Sequence, residues 1–393
     1  MKLRLAERFI SRDASGPTDN GTTNQAITDV GLTISSETRT EALTFDLGGG
    51  YRFVDGPDTD GFESEFTDPN VRLTYSQDAA ASSIQVTAFA NRTDLDNQTT
   101  LDVALGADGT LDPDFADLTQ DGGTRDRLSF QGKLTLRDDA PFGLGFQINI
   151  DDYSYNNLPD NSSLSNFSYA RFGTTARFDI NQVTQVNLGA HVAKTDTSGA
   201  STIGRYGIDA GLILTRPNGQ ITVDLAATHD DDGDQVHLSA GRSYVLEDTM
   251  AQFGLGLSKA TNDDIFVTGS ADLKHTFADN SPWGSLTASA ERHLTREGRT
   301  DEDLVTSLSV QTNYALNPVA GVNLSASYAQ SEDILTGDSV DLTAANLNVT
   351  YALTPEWTAT GGIGIQSRNP SGEATTDTAT LSLGITRTYD LRR

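Results

Sequence analysis

Tyr314–Gln330 reads YALNPVAGVNLSASYAQ, and Tyr351–Ser367 nearly repeats it as YALTPEWTATGGIGIQS. Each copy has an aromatic residue two positions before a leucine, then a short turn, then small and apolar residues in alternation. Looser copies stand at Tyr244–Ser258 (YVLEDTMAQFGLGLS) and Phe178–Val192 (FDINQVTQVNLGAHV). Period-two alternation on both sides of a turn is the signature of a β-hairpin. The repeating unit is therefore one hairpin, and the question is which surroundings require it so often.

The same alternation fills most of the chain. In FGLGFQINID, Phe142, Leu144, Phe146, Ile148 and Ile150 oppose Gly143, Gly145, Gln147, Asn149 and Asp151. In ATLSLGITRTYDL, Leu381, Leu383, Ile385, Tyr389 and Leu391 oppose Thr380, Ser382, Gly384, Thr386 and Thr388. Arg387 interrupts that apolar row close to the strand end, where its head can snorkel into a lipid headgroup layer. Short turns at 36–39, 78–81, 138–141, 181–184, 216–219, 246–249, 278–283, 317–320 and 354–357 alternate with mostly longer, Asp- and Gly-rich connections. The longest of these is 93–125; another lies at 230–235. This count predicts about twenty strands, the even number expected of a bacterial barrel, each of about 10–14 residues and long enough for a tilted crossing of a bilayer.

Composition narrows the surroundings. Of 393 residues 36% are hydrophobic, 36 are glycine and none is cysteine, which removes disulfides and thiolate metal sites. A net charge of −28 argues against a nucleic-acid partner, which calls for a basic surface. No apolar run is long enough for a transmembrane helix. The pattern predicts an all-β fold: a single transmembrane antiparallel up-and-down β-barrel over 1–393, with short periplasmic turns and long extracellular loops. A soluble sandwich would bury large residues between its sheets and would not sort its connections by length. A solenoid would repeat at a much shorter period. The first strand, within KLRLAERFI, starts almost at the first residue, so the reading expects neither a plug domain nor a helical domain ahead of the barrel. A signal segment is expected to have been removed.

Aromatic side chains gather where lipid meets water. Tyr75, Phe142, Phe178, Tyr244, Trp283, Tyr314, Tyr351, Trp357 and Tyr389 stand near the short turns or the end of the last strand. They are expected to form the periplasmic girdle. The opposite face of the strands is rich in Ser, Thr, Gly, Asn and Gln, which predicts a wide, wet lumen.

Three features are candidates for chemistry. Connection 93–125 carries Asp102, Asp108, Asp112, Asp114 and Asp117, while parity puts Arg72, Lys133, Arg137, Arg171 and Arg177 on the inner wall. An acidic loop folded against a basic wall would make a constriction with a transverse field, an arrangement that resembles the general diffusion porins. The second feature, THDDDGDQVH, brings His229, Asp231 and His237 into one stretch as a weak metal candidate, with a solvated hairpin tip as the stronger reading. No cofactor is expected beyond Ca²⁺ or Mg²⁺ loosely held by acidic loops and shared with lipopolysaccharide phosphates. The third is a negative one: five histidines and no serine in a nucleophile context predict a protein that is not an enzyme.

The closing segment, with its Tyr-Ala-Leu-Thr-Pro hairpin and SLGITRTYDL, resembles the end of outer-membrane barrels of the β-barrel porin 2 type. That resemblance covers about the last tenth of the chain specifically. It implies a Gram-negative outer-membrane location, lipid and lipopolysaccharide neighbours, and passive or export transport; it supplies no site residues. The chain departs from most such barrels in ending Leu391-Arg392-Arg393 rather than on phenylalanine. The expected function is passive diffusion of small hydrophilic solutes. An exit pore for an exopolysaccharide or other polymer, and a plugged structural or receptor barrel, stay open as alternatives. Monomer and trimer stay open too.

Overall fold

The computed structural model describes residues 1–16, 20–57, 63–95, 123–158, 162, 164–278, 281–295, 302–372 and 374–391. Twenty strands follow one another along the chain, beginning with β1 (Lys2–Ser15), β2 (Gly21–Glu37), β3 (Glu41–Asp55), β4 (Glu63–Ala79) and β5 (Ser82–Asp94). Then come β6 (Thr124–Leu136), β7 (Phe142–Asn156), β8 (Phe167–Asn181), β9 (Thr184–Thr197) and β10 (Ile203–Arg216). The second half holds β11 (Gly219–Asp230), β12 (Gly233–Val245), β13 (Thr249–Lys259), β14 (Ile265–Thr276) and β15 (Trp283–Thr295). It ends with β16 (Asp303–Asn317), β17 (Ala320–Asp333), β18 (Ser339–Ala352), β19 (Trp357–Pro370) and β20 (Thr376–Asp390). Each strand pairs antiparallel with its sequence neighbours, and β1 pairs with β20 from Lys2↔Asp390 to Ser15↔Asp377. The sheet is closed. Closure leaves no edge strand, so the backbone donors and acceptors of the wall are satisfied within it, as a hydrocarbon environment demands.

Side-chain parity divides the wall into two surfaces. On β20, Leu381, Leu383 and Ile385 stand exposed on the outside, Leu383 at 56%. Their alternates Thr380 and Ser382 line the inside. The same outward row continues through Leu255, Ile363 and Ile365, all heavily exposed. A soluble protein would not spread so much apolar side chain around its whole girth. Here the apolar belt is the surface presented to lipid.

One outward row is broken. Glu7 on β1 stands among Leu5 and Phe9, and its carboxylate accepts a hydrogen bond from Thr28 Oγ1 at 2.9 Å on neighbouring β2.

The short-turn end is ringed by aromatic contacts. Phe142 meets Phe178 at 5.2 Å and Trp283 meets Tyr314 edge-on at 4.9 Å between ring centroids. Arg387 lies over both Trp357 (5.1 Å) and Tyr389 (4.3 Å) and donates to Glu356 at 3.2 Å. Its aliphatic stem crosses the apolar row while its head reaches the turn, so the interruption in the last strand is a snorkelling cation. A second set of outward aromatics marks the loop end, where Tyr51 packs against Phe53 at 5.2 Å.

The turns are also linked to one another by backbone hydrogen bonds. Asp138 N donates to Ala81 O, Asp179 N to Pro141 O, Thr215 N to Val183 O and Val245 N to Asn218 O. Thr276 N to Asp248 O, Ala315 N to Pro282 O, Ala352 N to Val319 O and Thr388 N to Glu356 O carry the chain of bonds around the rest of the barrel.

The strands, of 11 to 17 residues, outrun the predicted lengths. The connection read at 230–235 shrinks to Asp231 and Asp232, because β11 and β12 remain paired up to Asp230↔Gly233. Alternation persists past the membrane boundary while residue polarity changes, so loops read from polarity came out too long.

Candidate functional site

The inner wall is built of rows that run across the strands in register. One row reads Gln85–Lys133–Gln147–Gly173–His191–Gly207 from β5 to β10. The next, towards the turns, reads Ser83–Thr135–Gly145–Thr175–Gly189–Asp209. A third reads Gly143–Arg177–Asn187–Gly211–Asp224–Ser239 from β7 to β12.

Glycine in these rows gives long polar side chains somewhere to lie. A Cβ on Gly189 would sit 2.2 Å from the Asp209 carboxylate, and one on Gly207 2.5 Å from the His191 ring. The charged groups therefore lean sideways across neighbouring strands rather than straight out from the wall.

Charges of both signs stand on the wall. Arg8, Arg72, Lys133, Arg171 and Arg177 stand on inward positions of β1, β4, β6 and β8. Asp209, Asp224, Asp272 and Glu291 stand on inward positions of β10, β11, β14 and β15. Arg8 is held by Asp29 at 2.6 Å, and the Arg72 guanidinium lies 5.2 Å over the Phe89 ring. Asp29 and Asp46 stand inward among the first group and Lys274 inward beside Asp272 in the second, so the sign alternates locally along the wall.

Parity thus puts Arg72, Lys133, Arg171 and Arg177 where the sequence predicts. Arg137 is a correction. β6 ends at Leu136, and Arg137 takes a φ of 58° in the turn, with its guanidinium 5.6 Å over the girdle ring Phe142. It belongs to the turn and the lipid–water boundary. Arg177 is inward but committed: it donates to Asp138 Oδ1 at 2.6 Å and to the carbonyls of Asp138 and Ala140 at 2.8 Å each. The loop carboxylates Asp102, Asp108, Asp112, Asp114 and Asp117 lie outside the described residues.

The metal candidate is also corrected. His229 is on the outward row of β11, stacked 5.0 Å from Tyr206 and bonded to Asp234 at 2.7 Å. His237 is on the inward row of β12, bonded to Ser258 at 2.7 Å. The wall separates the two imidazoles, and Asp231 sits in the turn between the strands. No three His, Asp or Glu side chains among the described residues converge as a metal would require.

Sequence reasoning missed a packed cluster inside the loop end of β3–β8. Leu95, Tyr153, Tyr155 and Phe167 are buried together, with Leu158 and Leu164 against them. Tyr153 and Phe167 stack at 4.5 Å. Arg127 lies 5.1 Å over Tyr153 and pairs with Asp151 at 3.0 Å. Beside them Arg52, 1% exposed, is paired with Asp94 and with Glu65, the latter at 2.7 Å. A signal existed: Tyr153 and Tyr155 fall on the polar parity of β7, where aromatic residues signal an interior contact rather than a wet wall.

No protein-family model matches the chain, and no curated protein matches it. Among solved structures it is similar to the siderophore receptor PirA from Pseudomonas aeruginosa, at 11% identity and a TM-score of 0.49 over 99% of this chain and 80% of that one. It is also similar to OccK1 (OpdK) from Pseudomonas aeruginosa, at 12% identity and a TM-score of 0.44 over 99% and 98%. A third is OccK7 (OpdD) from the same organism, at 11% and 0.43 over 100% and 99%. The closed sheet and its lipid-facing belt define the class on their own: a transmembrane antiparallel β-barrel of the outer-membrane porin type. Its place is the outer membrane of a Gram-negative bacterium, where single-chain barrels with an even number of antiparallel strands stand.

Proposed function

We propose that the barrel is a porin-like, non-enzymatic channel through which small hydrophilic solutes diffuse passively. The observation that carries this reading is the inner wall of β5–β12, whose Gly, Ser, Thr, Asn and Gln rows project little side-chain volume inward. Side chains that cannot pack an interior leave water as its content. Single-channel recording on refolded protein in a planar bilayer tests it. Stable open steps support the channel; a silent membrane containing folded barrels overturns it.

The packed cluster around Tyr153 and Phe167 favours a second reading, a barrel plugged at its loop end that serves as a structural or receptor protein. A silent membrane selects that one. The likeness of the last hairpin to β-barrel porin 2 proteins supports the channel reading. Divalent cations bridging acidic tips such as Asp231 and Asp232 to lipopolysaccharide phosphates belong to the same proposal.

A further inference from the structure

A groove of about 440 Å³ lies on the inner wall, spanning β6 to β10. Its floor is bare. Gly145, Gly173 and Thr175 form it, and the first two have no side chain to project. Its two ends carry opposite charge. At one end the Arg177 guanidinium leans over β7, its Cζ 3.4 Å from where a Cβ on Gly143 would stand. Lys133 reinforces that end from β6. At the other end the Asp209 carboxylate leans over Gly189 on β9. Neither Lys133 nor Asp209 forms an ion pair among the described residues.

We propose that this groove is a binding step for small zwitterions, with the solute carboxylate towards Lys133 and its ammonium group towards Asp209. The inference rests on the channel reading and deepens it. A monoanion would satisfy one end and leave Asp209 facing it as a like charge; a neutral solute would satisfy neither.

The test uses the full barrel in proteoliposomes at low salt, with three probes of equal size: 4-aminobutyrate, 4-hydroxybutyrate and 4-hydroxybutyramide. The wild type should carry the zwitterion fastest. Asp209→Asn, nearly isosteric, should reduce the zwitterion-to-anion flux ratio about threefold, the size of one exposed ion pair. Lys133→Gln should reduce the zwitterion-to-neutral ratio by a similar factor. Folding of each variant is checked by the gel shift between heated and unheated samples. Equal fluxes of all three probes, unchanged by either variant, overturn the inference and leave the channel standing. Barrels that carry not even the neutral probe overturn the channel reading and this inference with it.

Discussion

Arg52 and Asp94 meet inside the loop end of the barrel, and both are almost fully buried. Arg52 is also tied to Glu65 across the β3–β4 pair, so one guanidinium joins two neighbouring strands to the end of β5. Removing the cation would strand a buried carboxylate. Arg52→Ala should therefore lose about 3–5 kcal/mol, the range seen when one partner of a buried pair is removed. Denaturant unfolding in lipid measures it, and a loss under 1 kcal/mol would show that water reaches Asp94 easily.

Leu383 and Ser382 are consecutive on β20 and point to opposite sides of the wall. Leu383→Arg puts a cation into hydrocarbon and should cost about 2–4 kcal/mol near the bilayer midplane. Ser382→Arg puts the same cation into water, so stability should hardly change while single-channel current falls. Equal effects from the two substitutions would contradict the assignment of inside and outside.

Glu7 is a carboxylate on the lipid side of β1 whose hydrogen-bond partner there is Thr28. Replacing it with leucine should stabilise the barrel in lipid by about 1 kcal/mol, less than the penalty known for a basic residue at such a site. A loss of stability on Glu7→Leu would mean that this face is covered by something other than acyl chains.

Gly219 closes the turn between β10 and β11 with a φ of 127°, and an added Cβ would stand 2.2 Å from the Ser243 carbonyl oxygen. Gly219→Ala should cost more than about 1 kcal/mol, since neither the backbone conformation nor the space suits alanine. Gly204, with nothing within 4 Å of its missing Cβ, is the control and should tolerate alanine.

The fold was legible because lipid and water impose a rule of period two on every strand, and that rule survives in the sequence residue by residue. Turn positions were legible too, since Pro318, Asn218 and Pro355 stand where hairpins need them. The pore was legible only as a parity. Parity located Lys133 and Arg171, but it could not tell that Arg177 is bound into its own turn, that Arg137 lies outside the strand, or that Asp209 leans across Gly189. Those facts depend on the register between paired strands and on the direction each side chain takes, which alternation alone does not specify. The Tyr153 cluster was hidden for a related reason, because its members meet only once β5, β7 and β8 are side by side.

The backbone bonds from each short turn to the next amount to a hoop around one end of a cylinder. At the loop end the described residues carry such bonds at Ser198–Asn166, Ile334–Glu302 and Ser371–Ser339, and a cylinder tied all round one rim and only in places at the other does not breathe evenly. Amide hydrogens near Ala81, Val183 and Asn218 should be among the last to exchange, with exchange rates climbing along each strand towards the loops. Any widening that admits a bulky solute would then behave like a flared cup, fixed in circumference at its base and compliant at its lip.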